Sequence, residues 1–254
     1  MRVDGSSPMP LIVGVAGWSI PASSKEDFPS AGSHLERYGA RLPAVEINSS
    51  FYRPHRRSTY ERWAASVPDH FRFAVKLPGA ITHERRFRNC EPLLQAFADE
   101  TAGLGVKRGP VLVQLPPSFI YPGALAAEFL EAFRSIVGGR AVLEPRHASW
   151  FTPDADHLLQ RSGVARVAAD PALSATAARP GGWSGMAYFR LHGSPRIYDT
   201  PYERRRIESH AEAAAALGAG GAEVWTIFDN TMHGAATRNA LELLEMLRPP
   251  DRVA

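Results

Sequence analysis

Eight short apolar runs punctuate the chain, and nearly every one stops at a charged or amide residue: Leu11–Gly17, Ala44–Asn48, Phe71–Lys76, Val111–Gln114, Ala141–Glu144, Val164–Asp170, Met186–His192 and Glu223–Asp229. Each has strand length, and the stretches between them carry helical signals. Ser58-Thr-Tyr-Glu61 has capping-box spacing, followed by the apolar stripe Tyr60, Trp63, Ala64 and Val67 and a stop at Pro68. Thr152-Pro153 places a good cap before a proline at the first helical position, and Gly163 can close that helix. Leu125, Phe129, Phe133 and Ile136 form another stripe, and Ala240, Leu243, Leu244 and Leu247 the last one. Only Pro171–Gly182 lacks a helical pattern. Strands alternating with helices predict one (β/α)8 TIM-type barrel over residues 11–254, preceded by a flexible leader at 1–10.

Alternation within the strands selects which polar residues enter such a barrel. In Ala44–Asn48, Val45 and Ile47 share one face and Glu46 and Asn48 the other. If the apolar pair meets the helices, the polar pair faces inward. The same parity aligns Lys76 with Ala74, Gln114 with Leu112, Glu144 with Val142, Asp170 with Ala168, and His192 with Arg190 and Tyr188. One end of the barrel becomes polar, and that end carries the active site in barrels of this type.

The chemistry expected there is mixed in sign. Lys76, Arg146 and Arg190 suit an anion, because guanidinium forks match carboxylate and phosphate oxygens. Glu46 and Glu144 are the acid/base candidates, and Lys76 is a third catalytic candidate. Asn48, Gln114 and Asn230 would orient a ligand by hydrogen bonds, with His83, His147, Asp170 and His192 nearby. Trp18, Tyr52 and Trp150 follow strands one, two and five and could stack on a base or sugar, although each could equally pack a loop onto the rim. A buried charge needs a partner, so the competing interpretation is a self-neutralised ring of salt bridges that merely closes the barrel.

Bulk properties narrow the classes without choosing among them. Hydrophobic residues make up 44% of the 254 and charged residues 22%, enough for one sizeable core. No apolar run is long enough to span a membrane, the first ten residues lack a signal-peptide pattern, and the single Cys90 fits a reducing compartment, so the expected location is cytoplasmic. The formal charge of +3 is compatible with a small anionic ligand and also with a nucleic acid. Histidines beside carboxylates invite a divalent metal, but no ligand spacing occurs and the adjacent cations oppose it; no cofactor is predicted.

Several motifs resemble the YecE-like family, a set of proteins of unknown function. They are Gly17-Trp18-Ser19, Val45-Glu-Ile-Asn-Ser-Ser-Phe-Tyr52, Phe73-Ala-Val-Lys76 with Ile81-Thr-His83, Gly109–Phe119, Glu144 with Arg146-His147 and Ser149-Trp150, Arg190-Leu-His-Gly193, and Phe228-Asp-Asn230 with Arg238-Asn-Ala240. The chain departs from the family pattern at Ile20, around Pro145 and Ala148, and at Asp229 and the loop after it. The resemblance implies a TIM-type barrel and no established reaction. The function expected is therefore an enzyme acting on an anionic, phosphate-bearing nucleotide, nucleic-acid or sugar ligand. A noncatalytic nucleic-acid-binding module is the alternative, followed by a glycoside hydrolase using Glu46 and Glu144 and an aldolase-like lyase using Lys76 as a Schiff-base nucleophile.

Overall fold

The computed structural model describes residues 10–248, so the expected leader lies, apart from Pro10, outside the described residues. Ten strands form one mostly parallel sheet: β1 Leu11–Ala16, β2 Ala44–Ile47, β3 Arg72–Lys76, β4 Arg108–Gln114, β5 Ala141–Glu144, β6 Val164–Arg166, β7 Ala168–Asp170, β8 Gly181–Gly182, β9 Met186–Leu191 and β10 Glu223–Phe228. Their order is β7-β9-β10-β1-β2-β3-β4-β5-β6-β8. The sheet curls nearly closed because one segment serves both of its ends. β6 pairs with β5, Val167 donates to the Leu143 carbonyl, and β7 then pairs with β9. The run expected as a single sixth strand is thus divided, and the two-residue β8 adds an antiparallel edge on β6, giving ten strands where eight were expected.

Eight α-helices intervene: α1 His34–Gly39, α2 Ser49–Tyr52, α3 Arg57–Ala65, α4 Glu91–Thr101, α5 Ala124–Ile136, α6 Pro153–Arg161, α7 Arg204–Ala219 and α8 Ala235–Met246. Thr152 caps α6 by accepting from the Ala155 amide, and Gly163 takes a positive φ of 67° just beyond its end, both as the sequence predicts. The Ser58 cap does not form. α3 starts at Arg57, so Ser58 lies inside the helix and no side chain caps it.

The inner and outer faces follow strand parity. Ala44, Ala74, Leu112, Val142 and Tyr188 pack together inside the sheet, where Tyr188 stacks on Trp225 with ring centroids 6.0 Å apart. Strand six has the opposite parity to that expected. Ala165 and Val167 occupy the interior, whereas Ala168 packs outside with Ala187 and Phe189. Asp170 consequently leaves the barrel and meets Arg206 of α7 at 3.4 Å, which corrects its expected place in the site.

Between β1 and β2 the backbones come close enough that a Cβ on Gly14 would lie 2.5 Å from the Ala44 oxygen. Tyr38 of α1, fully buried, bridges the same strands: its hydroxyl accepts from the Val15 amide at 3.0 Å and donates to the Ala44 carbonyl at 2.8 Å. Burial raises this phenol far above its ordinary pKa, which keeps the donor in place. Tyr38→Phe leaves a buried amide without its acceptor and a carbonyl without its donor, and should cost about 1–3 kcal/mol in urea unfolding. A loss below about 0.5 kcal/mol would show that these backbone groups are satisfied elsewhere.

Candidate functional site

Arg190 sits near the C-terminal end of β9 and is 1% exposed. Its guanidinium reaches carboxylates from three other strand ends. Nη2 lies 2.7 Å from Oε1 of Glu46 and Nε 3.1 Å from Oε2 of the same side chain, a bidentate pair. Nη1 donates to Glu144 at 2.7 Å and to the Gln114 amide oxygen at 3.3 Å, and Nη2 donates to Asp229 at 2.9 Å. Strand parity makes this convergence natural, since Glu46, Gln114, Glu144, Arg190 and Asp229 all end inward-facing positions.

Around this hub every oxygen of Glu46 and Glu144 is occupied. Tyr188 donates to Glu46 at 2.8 Å, while Glu144 Oε1 takes Arg146 at 2.5 Å and lies 3.0 Å from His192 Nε2. His192 Nδ1 faces Asp229 at 3.0 Å. Burial by itself would raise the Glu144 carboxyl, but Arg190 and then Arg146 hold it well below the usual carboxylate range. Asp229 is lowered in the same way, its burial outweighed by Arg190 and by the hydrogen bond with His192. Two carboxylates so engaged have no free oxygen for a glycosidic bond, so the geometry gives no support to hydrolysis by this pair.

Lys76 differs from all of these. It is 8% exposed, its ammonium stands 4.3 Å over the Phe51 ring, and it makes no ion pair or hydrogen bond among the described residues. Burial and then the Arg190 charge lower its pKa to about 8, against the opposing pull of Glu46, Glu144 and Asp229. His83 packs edge-on against the same Phe51 ring, with centroids 4.9 Å apart, and places Nδ1 2.8 Å from the Thr82 hydroxyl. Its pKa is lowered by burial, then by Lys76 and Arg86. Arg146 is partly exposed beside them, with a buried Nε that has no partner, and the buried Oδ1 of Asn48 also has none.

The remaining expected site residues lie outside the Arg190 cluster. Trp150 is fully buried, donates its indole N–H to the Phe119 carbonyl at 2.8 Å, and packs against Tyr121. Trp18 meets Trp63 edge-on at 5.0 Å, His147 caps the turn at Ser149, and Tyr52 projects from the rim at 80% exposure. Asn230 donates to the Thr200 carbonyl and to Asn239, tying the loop after β10 to α8. Asp229, which the family comparison of motifs set aside, belongs to the cluster. Its inward parity was the available signal.

Glu46, Glu144, His192 and Asp229 are the groups a divalent cation would use, and Arg190 already holds three of them. No group of three His, Cys, Asp or Glu placed to hold a metal ion occurs among the described residues. Replacing Arg190 by Met leaves those carboxylates uncompensated and should destabilise the protein by about 3–5 kcal/mol in urea unfolding at pH 7. The deficit should narrow as the pH falls toward the carboxylate range. Carboxyls held low stabilise the fold above their unfolded pKa and lose that contribution once protonated, so the wild type weakens there. A deficit under about 1 kcal/mol, constant with pH, would contradict the role given to Arg190.

Comparison with known proteins fits this architecture. The UPF0759 protein YecE of Escherichia coli K12 is 29% identical over 109 residues, which cover 43% of this chain and 39% of YecE. The UPF0759 protein YunF of Bacillus subtilis is 27% identical over 149 residues, covering 56% of this chain and 53% of YunF. The chain therefore aligns with about half or less of these relatives' lengths. Among solved structures, a DUF72 family protein of Thermotoga maritima MSB8 superposes with a TM-score of 0.77 at 23% identity, over 94% of this chain and 99% of that one. One from Enterococcus faecalis V583 gives 0.77 at 21%, over 94% and 95%. The family model described as "Protein of unknown function DUF72" matches residues 12–253, and with the YecE-like resemblance already noted, this chain belongs to that family.

Proposed function

We propose that the ten-strand sheet works as a TIM-type (β/α)8 barrel with Val164–Asp170 as one interrupted stave, and that its polar end is an enzyme site for a small anionic, phosphate-bearing ligand. Lys76 carries this reading. An ammonium this buried costs several kcal/mol without a partner, and every carboxylate near it is already committed to Arg190, Arg146 or His192. An incoming anion supplies the missing partner. Arg146 lends a second charge, and the unpartnered Oδ1 of Asn48, the Gln114 amide and the free ring nitrogen of His83 supply hydrogen bonds. Glu46 and Glu144, the acid/base candidates of the sequence, act in this reading by fixing Arg190. Proton transfer falls to Lys76, whose pKa is lowered to about 8, and to His83, which burial and the Lys76 and Arg86 charges favour as the neutral imidazole.

A second reading rests on the same amine. With a pKa of about 8, Lys76 is in part the free base at neutral pH, and it can add to a carbonyl carbon and expel water to form an imine. Trapping with cyanoborohydride in the presence of glycolaldehyde phosphate would then label Lys76 in preference to Lys25 and Lys107, the other two lysines.

The anion reading is tested by titrating 2-phosphoglycolate calorimetrically. Lys76→Met should weaken binding about tenfold or more at pH 7, the worth of one charge-assisted contact. Wild-type affinity should fall as the pH rises through about 8, because the ammonium loses its charge there. The folded pKa lies below the ordinary lysine value, so the charged side chain opposes folding at pH 7, and Lys76→Met should unfold at the same or a higher urea concentration. Equal affinity for both proteins, flat with pH, would overturn the proposal.

A further inference from the structure

Beside the Arg190 cluster, a cavity of about 420 Å³ opens between the end of β1 and the start of α8, lined by Gly17, Ser19, Thr231, His233, Gly234 and Thr237 among others. None of these residues takes part in the ion network. The geometry points to this cavity as the subsite for the phosphate group of a phosphomonoester ligand, a deepening that rests on the anionic-ligand reading above.

Three features converge on it. First, α8 runs for 12 residues, and Gly234, Ala236 and Thr237 at its N-terminus line the cavity. The Ala236 amide is taken by the Asn230 carbonyl, but those of Ala235 and Thr237 donate to no acceptor among the described residues. Free N–H groups and the positive end of the helix dipole together favour an anion.

Second, Thr237 is 2% exposed, yet its hydroxyl makes no hydrogen bond among the described residues, and its side chain lines the cavity. A buried helical threonine ordinarily returns its hydroxyl to the preceding turn. Thr101 does so, donating to the Phe97 carbonyl at 2.8 Å. Thr237 is left with an unused donor facing the space that the helix N-terminus opens onto.

Third, the lining residues carry hydroxyls and an imidazole and no carboxylate: Ser19, Thr231 and His233 complete it, with His233 Nε2 lying 3.2 Å from the Asp199 carboxylate outside the lining. A tetrahedral oxyanion with several acceptor oxygens uses such a set, whereas a cation finds no counter-charge in it. Gly17, at φ 94°, leaves open space where a Cβ would stand, so the floor can be approached by a ligand. The cavity also adjoins the mouth. The Gly17 amide donates to the Glu46 carbonyl at 2.9 Å, and the loop lining the opposite wall leaves β10 through Asp229 and Asn230. In this proposal the phosphate group occupies the cavity and the rest of the ligand extends to the mouth.

Isothermal titration of the full-length protein with inorganic phosphate tests the subsite separately from the mouth. The wild type and Thr237→Ser should bind phosphate within about twofold of each other, because the hydroxyl is kept. Thr237→Val, which preserves shape and removes the donor, should bind about tenfold more weakly and lose more affinity than Lys76→Met does. Circular dichroism and urea unfolding of each variant establish that the fold is intact. Loss with Lys76→Met while Thr237→Val binds like wild type would overturn the subsite and leave the reading of the mouth standing. Absence of phosphate binding by the wild type at millimolar concentration would also overturn it. If phosphate binding follows this pattern but 2-phosphoglycolate ignores Lys76, the subsite holds and the reading of the mouth falls.

Discussion

A single buried guanidinium organises the polar end of the sheet. Arg190 cannot be left alone at 1% exposure, since an unpaired charge in that environment costs several kcal/mol. It is held by carboxylates from the ends of β2, β5 and β10, so strands far apart around the sheet share one electrostatic anchor. Breaking one partner exposes the others. The anchor explains why these carboxylates stay ionised in spite of burial, and why Tyr188, donating to Glu46 beneath them, is pushed well above its ordinary pKa by burial and by that charge.

Charge counting around the anchor separates structure from opportunity. Glu46, Glu144 and Asp229 contribute three negative charges, Arg190 and Arg146 contact them directly, and Lys76, the third cation, balances the count without a salt bridge, its ammonium lying over Phe51. The neutralised ring, one of the two interpretations that sequence patterns left as competitors, is present, and the ligand site proposed above would lie beside it. In the proposed reading the ring forms the floor, and Lys76, His83 and Arg146 serve the mouth. A floor locked by salt bridges is the kind of rigid support that a site needs to hold its side chains in fixed geometry.

Much of this was legible in the residues. Alternation in Ala44–Asn48, Ala141–Glu144 and Met186–His192 identified Glu46, Glu144, Arg190 and His192 as inward-facing, and these are the residues that meet. Parity failed in Val164–Asp170 because both faces of that run are small or apolar near its end: Ala165 and Val167 took the interior, and Asp170 turned to Arg206. Aromatic residues after strands were the least readable class. Trp150 carries the same side chain whether it stacks on a ligand or seals a loop, and only its bond to the Phe119 carbonyl distinguishes the two. The Thr237 cavity had no sequence signal, because a threonine at a helix start is ordinary until its hydroxyl is seen to lack a partner.

Everything proposed for the mouth depends on Lys76 being a buried cation held without a salt-bridge partner. The most direct measurement is a 13C NMR titration of the reductively methylated protein, in which three lysines give three assignable signals, with Lys76→Met identifying the one of interest. The charge arrangement predicts a midpoint of about 8 for Lys76 in the ligand-free protein, below those of Lys25 and Lys107. A midpoint in the ordinary lysine range near ~10.4 would mean that Lys76 is solvated or paired, and would contradict it.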